Sequence, residues 1–98
     1  MPGPVEQIVI TRLRDPAERE RFLDVTRSMV AWLREQTGFL GYELFEGEHG
    51  EWSDRLSWAS REDAERVTRA FVETPVGREM LDLVAPGYRY IMGVRVDL

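Results

Sequence analysis

The chain has 98 residues, of which 43% are hydrophobic and 32% charged, and it contains no cysteine. This length suffices for one domain with its own core and is too short for two. The missing thiols exclude disulfides, thiolate metal ligands and a cysteine nucleophile. Eighteen acidic against thirteen basic residues give a net charge of −5, which disfavours nucleic acid and anionic membrane surfaces as partners.

The first four residues lack the basic and apolar regions of a signal peptide. No apolar run approaches the roughly 18 residues that a membrane-spanning helix needs. We therefore expect a cytoplasmic protein that forms one domain over residues 1–98, with residues 1–4 flexible.

Residues 5–14 are predicted to form the first strand, because apolar side chains occur on both of its alternating faces. Asp15 and Pro16 then have the residue types of a helix N-cap and first helical position. The helix is predicted over residues 16–36, with Gly38 as its left-handed terminator. Its apolar stripe consists of Phe22, Val25, Met29, Trp32 and Leu33.

A β-hairpin is predicted next, with strands over residues 39–46 and 51–59 around a GEHG turn. If Glu46 pairs with Glu51, then Glu43 lies opposite Asp54, which is costly for two buried ionised carboxylates. Either the register is shifted by one or two residues, or this part of the sheet is wet or functional. In this register one face carries Phe39, Glu43, Phe45, Trp52, Asp54, Leu56 and Trp58, and Tyr42 lies on the other.

A capping box at Ser60 predicts a second helix, Thr74 and Pro75 separate it from a short further helix, and residues 88–96 alternate as a fourth strand. The order β-α-β-β-α-β predicts an α+β, ferredoxin-like fold, with helices on one face of a four-stranded antiparallel sheet. Because the other face is also apolar, for example at Ile8 and Ile10, we expect a homodimer.

Two segments carry a family resemblance. Residues 37–44 (TGFLGYEL) are similar to the PG-x-x-x-Y-x-L second strand of antibiotic-biosynthesis-monooxygenase-like proteins, and residues 58–64 (WASREDA) are similar to their W-x-S-x-E-A entry into the second helix. The chain thus resembles the dimeric α+β barrel superfamily over residues 5–96. The resemblance implies two sheets packed face to face in a dimer, and a pocket between sheet and helices in each protomer.

The resembled family includes cofactor-independent monooxygenases of polycyclic aromatic polyketides and haem-degrading monooxygenases. The haem-degrading branch uses an Asn, a Trp and a His at positions that correspond here to Thr11, Trp58 and Thr68. The absence of a His at that position disfavours haem degradation. The chain also contains no asparagine, a residue type associated with polyketide oxidation in the family.

Seven residues are candidates for the site. Asp54 is predicted as an acid or base, or alternatively as the partner of Arg12, Arg89 or Arg95 in an ion pair. Arg89 is predicted to stabilise a substrate anion. Trp58 either lines the pocket or fills the core. The remaining substrate-binding candidates are Trp52, Phe39, Tyr90 and Thr11.

The leading hypothesis is a small-molecule enzyme similar to cofactor-independent monooxygenases, acting on an apolar, aromatic or polyketide-like substrate without metal or other cofactor. An isomerase or cyclase could use the same residues. The third hypothesis is a non-catalytic dimeric protein that binds an apolar ligand. His49, the single histidine, lies in the predicted hairpin turn and builds no zinc site.

Overall fold

A computed structural model describes residues 3–98 of the chain, so residues 1 and 2 of the predicted flexible segment lie outside the described residues. Four strands and three α-helices follow one another in the predicted order, with one helix more than the minimal ferredoxin-like plan. They are β1 (Val5–Arg12), α1 (Arg19–Leu33), β2 (Phe39–Glu46), β3 (Glu51–Trp58), α2 (Arg61–Phe71), α3 (Pro75–Leu83) and β4 (Arg89–Gly93).

The strands form one antiparallel sheet in the order β2-β3-β1-β4. Buried side chains of α1 and α2 pack against β1 and β3, so the helices cover one face of the sheet. This arrangement confirms the predicted ferredoxin-like α+β fold. We call the covered side the helix face and the other side the open face.

Local capping explains where the helices begin. The Asp15 side chain accepts a hydrogen bond from the Ala17 backbone N–H, but the turn that follows, Pro16–Glu18, is a 3-10 helix, and α1 starts only at Arg19. The Ser60 hydroxyl accepts a hydrogen bond from the Asp63 N–H at 3.1 Å and thereby caps α2 as predicted.

The β2–β3 pairing differs from the predicted register. A bulge at Leu40 inserts one extra residue into β2, and the rest of the strand is shifted by one position. Leu44 therefore lies opposite Asp54, and Glu43 lies opposite Arg55 on the open face. The predicted approach of two carboxylates does not occur.

The bulge also corrects the predicted faces of β2. Phe39 lies opposite Trp58 on the helix face, as predicted. Beyond the bulge the alternation is reversed, so Tyr42 lies on the helix face, where the open face was predicted, and Phe45 lies on the open face, where the helix face was predicted.

The core lies between the helix face and the helices in two clusters. One surrounds Trp58, which is 1% exposed, and the other contains Trp52, whose ring centroid is 4.9 Å from that of Phe22. The open face, by contrast, exposes large apolar side chains from three of its strands. These side chains include Ile10, Leu40, Phe45 and Ile91.

Strand β4 is shorter than predicted. It pairs with β1 over Arg89–Gly93, whereas residues 94–98 continue without regular secondary structure and are exposed. The residue after the predicted start, Arg89, lies opposite Ile10 of β1, a position on the open face.

Candidate functional site

A cavity of about 360 Å³ lies between the helix face of the sheet and the three helices. Strands β1, β3 and β4 form its floor, α1 forms its back wall, and α2 and α3 form its roof. This volume falls within the range of roughly 300–1,000 Å³ that is typical of small-molecule sites. The cavity is therefore large enough for a compact ligand.

Most of the cavity wall is apolar. Val9 and Leu56 contribute to the floor, Met29 to the back wall, and Phe71 and Met80 to the roof. Methionine and aromatic side chains adapt to flat apolar ligands, so the wall suits an aromatic or otherwise apolar molecule. A few polar groups interrupt this wall, and they fix what chemistry the site can support.

Asp54 places a carboxyl group in the cavity. Its Oδ2 accepts a hydrogen bond from the Tyr42 hydroxyl of the neighbouring strand. Burial raises the pKa of Asp54 to about 6, because desolvation disfavours the charged form, and the hydrogen bond from Tyr42 offsets part of this increase. Burial, together with the charge of Asp54, raises the pKa of Tyr42 well above its ordinary value, so Tyr42 stays protonated.

Trp58 and Gln7 form the second polar pair of the floor. The Trp58 indole N–H donates a hydrogen bond of 3.0 Å to Gln7 Oε1, and both residues line the cavity. The pair is buried, and Trp58 both fills the core and lines the cavity. The two alternatives predicted for Trp58 therefore describe one position.

Thr11 lies on β1, two residues beyond the partner of Asp54, and it also lines the cavity. Its Oγ1 is buried and has no hydrogen-bond partner within residues 3–98. A buried hydroxyl without a partner costs free energy, and a polar atom of a ligand could satisfy it.

Tyr90 lies at the mouth of the cavity, together with Tyr88, Glu65 and Arg69. Tyr90 is 57% exposed and Tyr88 is 52% exposed. These side chains surround an entrance that is more polar than the interior. A ligand with an apolar body and a polar end matches this gradient.

Three of the seven predicted site residues lie outside the cavity wall. Arg89 lies on the open face, because it precedes Tyr90 on the same strand and neighbouring residues alternate. Trp52 is buried against Phe22, and Phe39 packs edge-on against Trp58 with 5.5 Å between ring centroids. Asp54, Trp58, Tyr90 and Thr11 are brought together.

In the part of the chain that the structure describes, none of the three arginines predicted to pair with Asp54 forms an ion pair with it. Arg12 lies 3.7 Å from Glu51, and Arg95 lies 3.6 Å from Glu6. Within residues 3–98, the hydroxyl of Tyr42 is the one side-chain donor to the carboxyl group of Asp54. The predicted ion pair of Asp54 is thus replaced by a hydrogen bond with a neutral donor.

Gln7 is not identified in the sequence analysis, which places Tyr42 on the open face. Gln7 occupies an inward position between the apolar Val5 and Val9, and a lone amide in such a row signals a buried polar partner. The prediction for Tyr42 is wrong because regular alternation from Phe39 takes no account of the bulge. Within residues 3–98 no group of three or more potential metal-binding side chains occurs. None of the helices in this range has the length and hydropathy that a membrane-spanning segment requires.

No family model matches the chain, and no curated protein matches it in sequence. Solved structures do share its fold. A variant of SnoaB, a cofactor-independent oxygenase from Streptomyces nogalater, is 16% identical with a TM-score of 0.79, and the alignment covers 98% of this chain and 96% of that one.

Two further structures extend the comparison. An antibiotic biosynthesis monooxygenase is 15% identical with a TM-score of 0.74, and the alignment covers 95% of this chain and 99% of that one. A protein from Pseudomonas aeruginosa is 19% identical with a TM-score of 0.73 and coverage of 99% and 98%. The chain therefore has the fold of antibiotic biosynthesis monooxygenases over almost its whole length.

Proposed function

We propose that the chain is a small-molecule enzyme in which Asp54 removes a proton from an aromatic, polyketide-like ligand, and that the resulting anion reacts with dioxygen. The shared fold with a cofactor-independent oxygenase supports this class of reaction. The observation that carries the proposal is the carboxyl group of Asp54, held by Tyr42, on the floor of a mostly apolar cavity.

The position of Asp54 suits a general base. With a pKa of about 6, its carboxyl group is ionised at neutral pH and is a stronger base than an ordinary aspartate. The ligand should carry an acidic C–H or O–H group conjugated to an aromatic system, because delocalisation makes such a proton removable. The hydroxyl groups of Thr11 and Tyr90 are among the cavity groups that could bind oxygen atoms of the ligand.

The reacting group is taken to be a ligand methylene group that joins two rings, one of which carries a carbonyl group that delocalises the anion. Asp54 takes one proton, and the carbanion transfers its electrons to dioxygen and forms a C–O bond. The peroxide anion takes the proton back from Asp54, and loss of water leaves a ketone. The net change is CH₂ plus O₂ to C=O plus H₂O, with the ligand supplying all four electrons.

We also propose that the chain forms a homodimer through the open face. Ile10, Leu40, Phe45 and Ile91 expose an apolar surface there, and such surfaces are typical of protein interfaces. Phe45→Arg combined with Ile91→Arg should yield a monomer in sedimentation analysis, while Glu48→Arg in the hairpin turn should not. A wild-type protein that sediments as a monomer would contradict the dimer.

The reaction is tested with a hydroxylated anthrone as ligand, followed by oxygen uptake and by Trp fluorescence. Asp54→Asn should bind the anthrone within a few-fold of wild type but lose roughly 10²- to 10⁴-fold in rate, the usual contribution of a general base. Asp24→Asn is the matched control, since Asp24 is exposed on α1 and pairs with Arg27 at 2.7 Å.

Each other outcome contradicts the proposal in its own way. Equal oxygen uptake by Asp54→Asn would remove Asp54 from the reaction. Conversion of the ligand without oxygen uptake would indicate the isomerase or cyclase. Saturable quenching of fluorescence without any conversion would indicate a binding protein.

A further inference from the structure

We infer that Tyr42 is a positioning residue for Asp54: its hydroxyl holds one oxygen of the carboxyl group and leaves the other available to a ligand in the cavity. This inference rests on the proposed function for its consequence in catalysis. The contact between the two side chains is independent of that function and can be tested without any ligand.

The first observation is the bulge at Leu40. In a regular strand Phe39 and Tyr42, three positions apart, would lie on opposite faces. The extra residue places both on the helix face, and Tyr42 comes to lie opposite Leu56, one inward position along β3 from Asp54. Bulges commonly re-aim a side chain beside a functional site. Here the bulge brings a hydroxyl to the acid on the cavity floor.

The second observation is the geometry of the contact. Tyr42 donates its hydroxyl hydrogen to Oδ2 of Asp54, and no side-chain donor to Oδ1 occurs within residues 3–98. The rigid ring of Tyr42 starts from a fixed strand position, so the bond restricts rotation of the carboxyl group. Oδ1 is then the basic atom that a ligand proton would meet.

The third observation concerns the other groups that face Asp54. From the mouth, Glu65, Arg69, Tyr88 and Tyr90 line the same cavity, and all four are exposed. The polar floor residues on β1, Gln7 and Thr11, do not titrate, and α1 and α3 contribute only apolar side chains to the wall. The indole N–H of Trp58 is bound to Gln7. Tyr42 is therefore the group that stabilises the ionised carboxylate by direct contact.

The experiment follows the carboxyl carbon of Asp54 by ¹³C NMR as a function of pH in the ligand-free protein. Tyr42→Phe keeps the ring and removes the donor, so the titration midpoint should rise by about one to two pH units, the effect of losing a hydrogen bond to a charged group. Tyr90→Phe, which removes a cavity hydroxyl that does not contact Asp54, should leave the midpoint unchanged. An unchanged midpoint in Tyr42→Phe would overturn the inference.

A second variant separates the effect of the hydroxyl from that of ring packing. Tyr42→Leu removes hydroxyl and ring together, and the midpoint should rise in the same direction, because the effect depends on the donor. A midpoint that rises in Tyr42→Leu but not in Tyr42→Phe would assign the effect to packing and overturn the role of the hydroxyl.

The pH profile of anthrone oxidation connects the inference to catalysis. In Tyr42→Phe, the acidic limb of kcat/KM should move upward with the NMR midpoint. If Asp54→Asn remains active, the proposed function fails although the NMR result still stands. If Asp54→Asn is inactive and the limb does not move in Tyr42→Phe, the proposed function stands and the positioning role fails.

Discussion

Gln7 and Trp58, which are 51 positions apart in the sequence, are joined side chain to side chain by a hydrogen bond of 3.0 Å. They lie on adjacent strands and both face the helices, two residue pairs apart in the β1–β3 register. The amide oxygen is the partner that lets the largest fully buried side chain of the protein carry an N–H group into the core. The bond thus ties the cavity floor together where β1 meets β3.

Removal of this amide should destabilise the protein. Gln7→Ala leaves the buried Trp58 N–H without its partner and should lower the free energy of unfolding by about 1–3 kcal/mol. Urea denaturation measures the change. In a cycle with Trp58→Phe, the double variant Gln7→Ala, Trp58→Phe removes both polar groups, and its loss should be smaller than the sum of the two single losses. A double variant whose loss equals the sum of the two single losses would show that the bond does not couple the residues.

The pKa of Asp54 makes the stability depend on pH. Its folded-state value of about 6 lies above the ordinary 3.8, so between these values the folded protein binds more protons than the unfolded chain. The protonated carboxyl group of Asp54 therefore makes a stabilising contribution, which is fully present below pH 4 and is lost as the pH rises through 6. Relative to wild type, Asp54→Asn should therefore gain stability over this range, up to about 3 kcal/mol at pH 7.

The measurement is a series of urea denaturations of both proteins from pH 3.5 to 8, expressed as the difference between them. Taking the difference removes the contributions of the other carboxyl groups, which both proteins share. A difference that stays constant across this range would show that Asp54 has an ordinary pKa in the folded protein.

Thr11 should show opposite effects on stability and on binding. Thr11→Val replaces a buried, unpartnered hydroxyl by a methyl group of similar size, and should stabilise the ligand-free protein by about 1 kcal/mol. The same variant should weaken binding of a hydroxylated anthrone, because an oxygen atom of the anthrone loses the Thr11 hydroxyl as its hydrogen-bond partner. Thermal unfolding and fluorescence titration measure the two effects.

Thr26 provides the matched control for Thr11. Its Oγ1 is also buried without a partner within residues 3–98, but the residue belongs to α1 and does not line the cavity. Thr26→Val should stabilise the protein to a similar extent without changing anthrone binding. Equal binding by both variants would remove Thr11 from the ligand site.

Three glycines should tolerate alanine to different degrees. Gly38 and Gly87 both have φ near +90°, but a Cβ atom at Gly38 would overlap the side chain of Asp63, whereas the space beside Gly87 is open. Gly87→Ala should cost about 1–2 kcal/mol of strain, and Gly38→Ala more. Gly41→Ala, with ordinary φ and open space, should be nearly neutral. Chemical denaturation gives the order, and a Gly41 variant as unstable as that of Gly38 would contradict it.

The fold was predictable because its signals are local. The N-cap at Ser60, the left-handed Gly38 and the break at Pro75 each act within a few residues of the chain, and their order determines the topology. The register of β2 was not predictable in the same way, because the bulge at Leu40 is selected by packing across the sheet. The adjacent Gly41 was the one local hint, since glycine inside a strand often marks a bulge.

Strand alternation explains which site residues were predicted together. Asp54 and Trp58 are four positions apart on β3 and therefore share a face. Arg89 and Tyr90 are consecutive, so a single strand cannot turn both into one cavity. The Tyr42 contact depends on the bulge and required the three-dimensional pairing.

The bulge has a consequence for how this protein can vary in length. The side chain of Leu40 is 59% exposed on the open face, while the extra backbone unit that it supplies turns Tyr42 inward. Deletion of Leu40 would restore regular alternation in β2. The side chains on one side of the deletion would then move from the helix face to the open face, and the reverse. The chemistry of the cavity and the apolar character of the opposite surface are thereby linked through a single position. An insertion or deletion of one residue in β2 would change both faces of the sheet together.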